Sequence, residues 1–175
     1  MRKDTKVYET PIFNLHQKEV VPERSEEPAP FYVIKAPEWI NVIARTATGE
    51  ILLVEQYRHG TEQVTLEIPG GMVDAGELPM EAARRELLEE TGFQSSHWTS
   101  LGVSSSNPAI LSNRTHMFFA DGCEETGPQQ TDGHEDIQVH HVPEASFFEM
   151  IGNGTIDHAI VLAAACRWLL QKSSR

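Results

Sequence analysis

The alternation of apolar and polar positions divides this chain into short strands and a few helices. Residues 6–10 and 12–21 read as strands, a charged turn with two prolines covers 23–30, and 31–35 reads as a further strand. Pro37 separates that strand from its successor. Two apolar strands over 39–46 and 51–58 flank Ala47-Thr48-Gly49-Glu50, a composition suited to a hairpin. A strand over 64–68 runs into Pro69-Gly70-Gly71, and further strands are predicted over 98–103 and 116–120. Residues 124–136 are acidic, contain Gly and Pro and have no period, which marks a long loop. Residues 137–142 alternate as a strand, and 145–151 and 157–171 read as helices, the second strongly apolar. Strands interleaved with helices imply a layered α/β domain. Neither an internal repeat nor a flexible interdomain linker is visible.

One further helix is marked by its ends and by its charges. Pro79 suits the first helical turn, where its missing N–H is no loss, and Gly92 suits the position just past the last turn. Met80, Ala83 and Leu87 recur at spacings of three and four and make an apolar stripe. Glu86, Glu89 and Glu90 stand at i, i+3 and i+4, so they share one side of the helix. Like charges so placed weaken a helix unless something neutralises them. Carboxylate oxygens are hard ligands, and a hard divalent cation is their natural partner. Because Glu86 and Glu90 border the apolar stripe, such an ion would lie at the edge of a cleft. The preceding Glu67-Ile68-Pro69-Gly70-Gly71 is a strand end entering a Gly turn, where backbone can approach an ion or a phosphate. For Glu89 and Glu90 taken alone, a solvated acidic face is the competing reading.

Composition narrows the field. A chain of 175 residues is long enough for one domain with a substantial core. No apolar run reaches transmembrane length, and the first residues are polar, so a cytoplasmic protein without membrane contact is expected. Cys123 and Cys166 form no metal-binding pair and no disulfide framework; Cys166, inside an apolar run, is expected to be a buried inert thiol. The net charge of −12 argues against a broad nucleic-acid footprint, which needs basic stripes. It also requires local positive charge, from bound metal or arginines, wherever an anionic substrate docks. The eight histidines show no ligand spacing, His140 and His141 point to opposite faces of a strand, and each reads as an ordinary polar or core residue.

The pattern Gly71-x5-Glu77-x7-Arg85-Glu86-Leu87-x-Glu89-Glu90-x-Gly92-Phe93 resembles the Nudix box of the Nudix hydrolases without a departure. Within that family the surroundings are similar to the ADP-ribose and nucleoside diphosphate sugar pyrophosphatases. Glu55-Gln56-Tyr57-Arg58 followed by Leu66-Glu67-Ile68-Pro69-Gly70-Gly71 resembles a stretch of that subgroup, with Gly70 where Ala is more usual. Pro108 lies where the subgroup carries a proline, and Glu135-Asp136-Ile137-Gln138-Val139 resembles its acidic loop. The resemblance implies a Nudix fold: an α/β/α sandwich around a mixed sheet, preceded by an N-terminal antiparallel sheet over 1–36 that forms a homodimer, with the Nudix domain over 37–175.

The same resemblance implies roles. Glu86 and Glu90 are the leading ligands of Mg²⁺ or Mn²⁺, Glu89 is a further ligand or orients water, and the Gly70 carbonyl is a backbone ligand. Glu77 and Arg85 form an ion pair that braces the loop on the helix, with Gly71 and Gly92 as structural glycines. The implied reaction cleaves a nucleotide sugar, ADP-ribose first and GDP-mannose second, to a nucleoside monophosphate and a sugar phosphate. A carboxylate must take the proton from the attacking water. Glu135 ranks first, then Glu89 and Asp136, although Gly133 stands where many relatives have a second acid. Arg58 is the candidate diphosphate clamp, set against a surface salt bridge. Glu67 either holds metal through water or positions Arg58. Trp39 either stacks on a nucleobase or packs in the core, and Phe31 and Tyr32 share that ambiguity. Ser112, with Asn113 and Arg114, is a candidate contact to a sugar hydroxyl. The rival readings are a nucleoside triphosphate pyrophosphatase and a non-catalytic Nudix-fold binding module.

Overall fold

The structure, a computed structural model, describes residues 3–131 and 136–173. The N-terminal pattern forms three strands, β1 (Lys3–Glu9), β2 (Asn14–Val20) and β3 (Ala29–Lys35), paired antiparallel in that order. This sheet has almost no core of its own. β1 is exposed along its whole length, and Val7, Tyr8, Ile12, Phe31 and Tyr32 are exposed, so neither aromatic of β3 belongs to the core. The sheet is tied to the rest through Ile34, whose N–H donates to the Ile110 carbonyl at 2.7 Å and whose carbonyl accepts from the Ser112 N–H at 3.1 Å.

The second sheet contains β4 (Trp39–Thr46), β5 (Glu50–Arg58), β6 (Gln63–Glu67), β7 (Phe93–Gln94), β8 (His97–Ser104), β9 (Thr115–Glu125) and β10 (Gln138–Pro143). Its order is β10-β5-β4-β9-β7, with β6 added to β5 and β8 to β9. β4 and β9 run parallel and the other pairs antiparallel, so the sheet is mixed. Strand alternation sends successive residues to opposite faces. Val42, Ala44 and Leu52 pack with Ala82, Ala83 and Leu87 of α1 (Pro79–Thr91). Ile43, Ile51 and Leu53 pack on the other side, with Phe147 of α2 (Glu144–Gly152) and Val161, Ala164 and Trp168 of α3 (Ala159–Ser173). Each fully buried aliphatic side chain contributes about 1.5–3 kcal/mol. The expected α/β/α layering follows from these two apolar faces.

The β4–β5 hairpin has an unusual consequence. Its strands pair only at Ala44–Leu52 and Arg45–Ile51. Beyond that the strands part, and residues 69–73 lie along β4 in the gap. The Val42 N–H donates to the Pro69 carbonyl at 2.8 Å, the Ile40 N–H to Gly71 at 2.9 Å, and the Val73 N–H to Glu38 at 2.8 Å. Close approach explains the glycine at 70: a Cβ there would meet the Ile40 carbonyl oxygen at 2.5 Å. Alanine therefore does not fit this backbone without a shift.

Three expectations need correction. Residues 124 and 125 belong to β9, because Glu125 pairs with Phe93 of β7, a strand too short to show a period. The last helix begins at Ala159, with the His158 carbonyl accepting the N–H groups of Val161 and Leu162 at 2.9 and 3.1 Å. Cys166 is exposed, not buried: the buried stripe of α3 runs through Val161, Ala164, Ala165 and Trp168, and Cys166 falls on the other side. Cys123 is the buried thiol, and burial pushes its pKa up to about 12. Among the described residues no helix is long and apolar enough to cross a membrane.

Candidate active site

The acidic helix is fixed at both ends by its sequence. Pro79 opens α1, where the Leu78 N–H donates to the Glu81 carboxylate at 3.1 Å. Gly92 closes it in the left-handed region, with φ 77° and its N–H on the Leu88 carbonyl at 2.8 Å. A Cβ at 92 would also lie 2.2 Å from the Gly127 carbonyl oxygen, so glycine is required twice over.

Arg85 organises the charges on this helix. Its Nε and Nη2 donate to the two oxygens of Glu77, each at 2.9 Å, and Nη2 also reaches the Met72 carbonyl at 3.0 Å. Nη1 donates to Glu86 at 2.8 Å and to Glu89 at 3.1 Å. Arg85 thus braces residues 72–77 on the helix and offsets the repulsion among its acids. The Glu77 carboxylate, above all, raises the Arg85 pKa beyond the ordinary guanidinium range, and Arg85 in turn lowers that of Glu77. Glu90 is buried and accepts the Gly70 N–H at 2.9 Å. Glu86 lies against Gly71, where a Cβ would come within 2.2 Å of its carboxylate oxygen. Among the described residues no three acidic, histidine or cysteine side chains converge as a metal-holding group. Here Glu86 and Glu89 turn to Arg85, and Glu90 turns to the N–H of Gly70. The donor set nevertheless has the right chemistry for a hard divalent cation, with three carboxylates beside glycine backbone.

At Met72, whose carbonyl Arg85 holds, opens a cleft of about 880 Å³. Its walls are mostly apolar and include Ile12, Ile34, Trp39, Met72, Leu111 and Ile160. Trp39 lines the cleft and belongs to neither core cluster. The polar side of the cleft is built around Glu67, which is only 3% exposed. Arg58 grips it in a fork, Nε to Oε1 at 2.8 Å and Nη2 to Oε2 at 2.9 Å. Thr65 donates to Oε1 at 2.7 Å, and His158 Nδ1 sits 2.5 Å from Oε2. Burial pushes the Glu67 pKa up, but the hydrogen bonds from Arg58, His158 and Thr65 outweigh it and hold the carboxyl below the usual range. Arg58 is therefore bound to a buried acid, not to a surface partner.

Two sequence assignments fare differently. Ser112 is exposed and does not line the cleft; its backbone ties to Ile34, while its neighbours Leu111 and Asn113 form the wall. Glu135, the favoured base, lies outside the described residues. The segment before it is fastened to the end of α1, and Ile137 after it is held by Gln129. The Gln130 N–H donates to the Glu89 carbonyl at 2.8 Å, and Gln129 Nε2 donates to the carbonyls of Glu90 at 2.5 Å and Ile137 at 3.2 Å. Asp136 is exposed. Sequence reasoning missed His158, Thr65 and Gln129. For His158 the local pattern carried no signal, since its contact with Glu67 is set by the fold across 91 residues.

The chain is similar to known proteins. The NUDIX domain family matches residues 36–164. An ADP-ribose pyrophosphatase of Bacillus subtilis is 35% identical over 89 residues, 51% of this chain and 48% of that protein. An ADP-ribose pyrophosphatase of Mycobacterium tuberculosis is 32% identical over 126 residues, 71% of this chain and 61% of that protein. The chain thus spans about half to three-fifths of the length of these relatives. The crystal structure of an ADP compounds hydrolase superposes with a TM-score of 0.82 at 21% identity, covering 98% of this chain and 91% of that one. That likeness shows the fold, including the N-terminal antiparallel sheet.

Proposed function

The chain belongs to the Nudix family, and from that premise we propose that it hydrolyses a nucleoside diphosphate sugar to a nucleoside monophosphate and a sugar phosphate. ADP-ribose is the first substrate and GDP-mannose the second. The observation that carries this reading is the junction at Met72. Met72 lines the cleft, its carbonyl is held by Arg85, and the adjacent Gly71 packs on Glu86. A nucleotide sugar with its nucleoside in the cleft carries its diphosphate past Met72 towards Glu86, Glu89 and Glu90. The names of the two pyrophosphatase relatives support ADP-ribose as the first choice.

We assign Glu86 and Glu90, with Glu89 and the Gly70 carbonyl, to Mg²⁺ or Mn²⁺. A bound cation of this kind relieves charge on phosphate oxygens and lowers the pKa of the attacking water. Arg58 contributes its guanidinium edge opposite the Glu67 fork to the diphosphate, a group it matches in shape. Glu67 sets the plane of that guanidinium. Trp39 supplies an aromatic wall for the base. Glu135 takes the proton from water, with Glu89 second and Asp136 third; the tie of residues 129 and 130 to the end of α1 supports a base from this loop. The exposed apolar residues of the N-terminal sheet support a homodimer formed through residues 1–36.

The test is a substrate screen. Purified protein is incubated with ADP-ribose, GDP-mannose and nucleoside triphosphates, in Mg²⁺ or in EDTA, and products are resolved by ion-exchange chromatography. The expected result is AMP and ribose 5-phosphate from ADP-ribose, lost in EDTA. Faster release of pyrophosphate from a triphosphate reassigns the chain to that substrate class. Tight binding of nucleotides without turnover of any makes it a binding module.

A further inference from the structure

We propose that His158 recognises the nucleoside half of the substrate, its Nε2 accepting one hydrogen bond from a hydroxyl or N–H of that nucleoside. This deepens the functional reading and rests on it in one respect, that a nucleotide occupies the cleft.

Glu67 sets the state of the imidazole. Its four contacts are with Arg58 Nε and Nη2, Thr65 Oγ1 and His158 Nδ1. An ionised carboxylate only accepts hydrogen bonds, so Nδ1 must carry a proton. In the neutral ring that fixes the tautomer and leaves the lone pair on Nε2. Among the described residues no hydrogen bond to Nε2 is made, and His158 lines the cleft. The backbone is also set, because the His158 carbonyl receives the N–H groups of Val161 and Leu162 in the first turn of α3. The result is an oriented acceptor on the polar side of a mostly apolar cleft.

Charge decides which half of the substrate meets it. On this wall the positive charge of Arg58 is matched by Glu67, and Asp157 adds a negative group beside His158. The phosphates belong to Arg58, and the negative Asp157 keeps them off the His158 end of the wall. The apolar side chains of Ile34, Trp39 and Leu111 suit a base and its sugar. Adenosine in AMP offers three kinds of donor group, the 2′-hydroxyl, the 3′-hydroxyl and the amine at C6, and one of them meets Nε2.

The experiment titrates AMP, 2′-deoxy-AMP, 3′-deoxy-AMP and IMP into the full-length protein by calorimetry and measures ADP-ribose kinetics in Mg²⁺. Wild type is expected to bind one of the three analogues about tenfold more weakly than AMP. His158→Asn keeps an N–H near the Nδ1 position for Glu67 and removes the acceptor. It should bind AMP as weakly as wild type binds that analogue, and no longer distinguish the two. Its KM for ADP-ribose should rise about tenfold with kcat little changed and its thermal midpoint near wild type. Equal binding of all four nucleotides by wild type, or a wild-type KM in the Asn variant, overturns the proposal. Absence of ADP-ribose turnover with discrimination intact sinks the hydrolase reading alone and leaves the His158 assignment standing.

Discussion

A carboxylate as buried as Glu67 survives only because donors surround it; unpaired, it would cost about 3–5 kcal/mol. That gives the residue a pH signature. Its folded pKa lies below the unfolded value, which is about 4.3 for Glu. As pH falls through the unfolded value, the unfolded chain takes up a proton that the folded chain refuses. The stabilisation is therefore fully present above about pH 5 and is lost as pH drops towards the folded pKa. Glu67→Gln should be less stable than wild type at neutral pH, by about 3 kcal/mol, because it replaces the charged acceptor gripped by Arg58 and His158 with a neutral amide. The gap should narrow steadily in acid. Urea midpoints compared across that range decide the matter; parallel curves would remove Glu67 from the acid response. The two thiols give a second test at this scale. Cys166 is exposed and Cys123 is buried with a raised pKa, so a thiol reagent near neutral pH should label one equivalent quickly and the second only after unfolding. The burial expected for Cys166 was wrong because an apolar run does not say which of its residues lie on the buried stripe.

Among the elements, α1 was the most legible. Its propensity, its apolar stripe, Pro79 and Gly92 all agree, so its bounds and its acidic side could be read before any coordinates. What the sequence left open was the neutralising partner of the acids, and Arg85 fills much of that role. α3 was placed two residues early, and that small error put His158 inside a helix and hid it on the cleft wall. The insertion of 69–73 between β4 and β5 was likewise invisible, since it depends on long-range pairing and not on local pattern. Two substitutions test the acidic helix. Gly92→Ala meets both a left-handed backbone and the Gly127 carbonyl, so it should cost about 2 kcal/mol or more in denaturant unfolding. Glu90→Gln keeps an oxygen for the Gly70 N–H while removing the charge. It should fold normally and lose about 100-fold or more of turnover at saturating Mg²⁺. Full activity would move the metal assignment away from α1.

At the level of the whole molecule, the alternation over the first residues announced strands but could not say what covers them. A three-stranded sheet with β1 exposed throughout buries too little apolar surface to be stable by itself. Yet it presents Tyr8 and Tyr32 on one face, because Tyr8 pairs with Leu15 and Leu15 with Ile34, two residues from Tyr32, and Tyr8 is 64% exposed. Such a grouping suits contact with a second copy of the chain. The double substitution Tyr8→Lys with Tyr32→Glu places charge in that face without touching the second sheet. It should raise the dissociation constant of the proposed dimer by about 100-fold, read by light scattering across a dilution series. Circular dichroism should stay unchanged. The consequence for function comes from the place the N-terminal segment takes: Ile12, Phe13 and Ile34 form part of the cleft wall. If assembly holds that wall in place, the monomeric variant should show a raised KM for ADP-ribose with kcat retained, because the acids of α1 lie beside the other sheet. A variant that becomes monomeric with KM unchanged would show that the wall stands without a partner, and wild type that is already monomeric would withdraw the N-terminal sheet as a dimer interface.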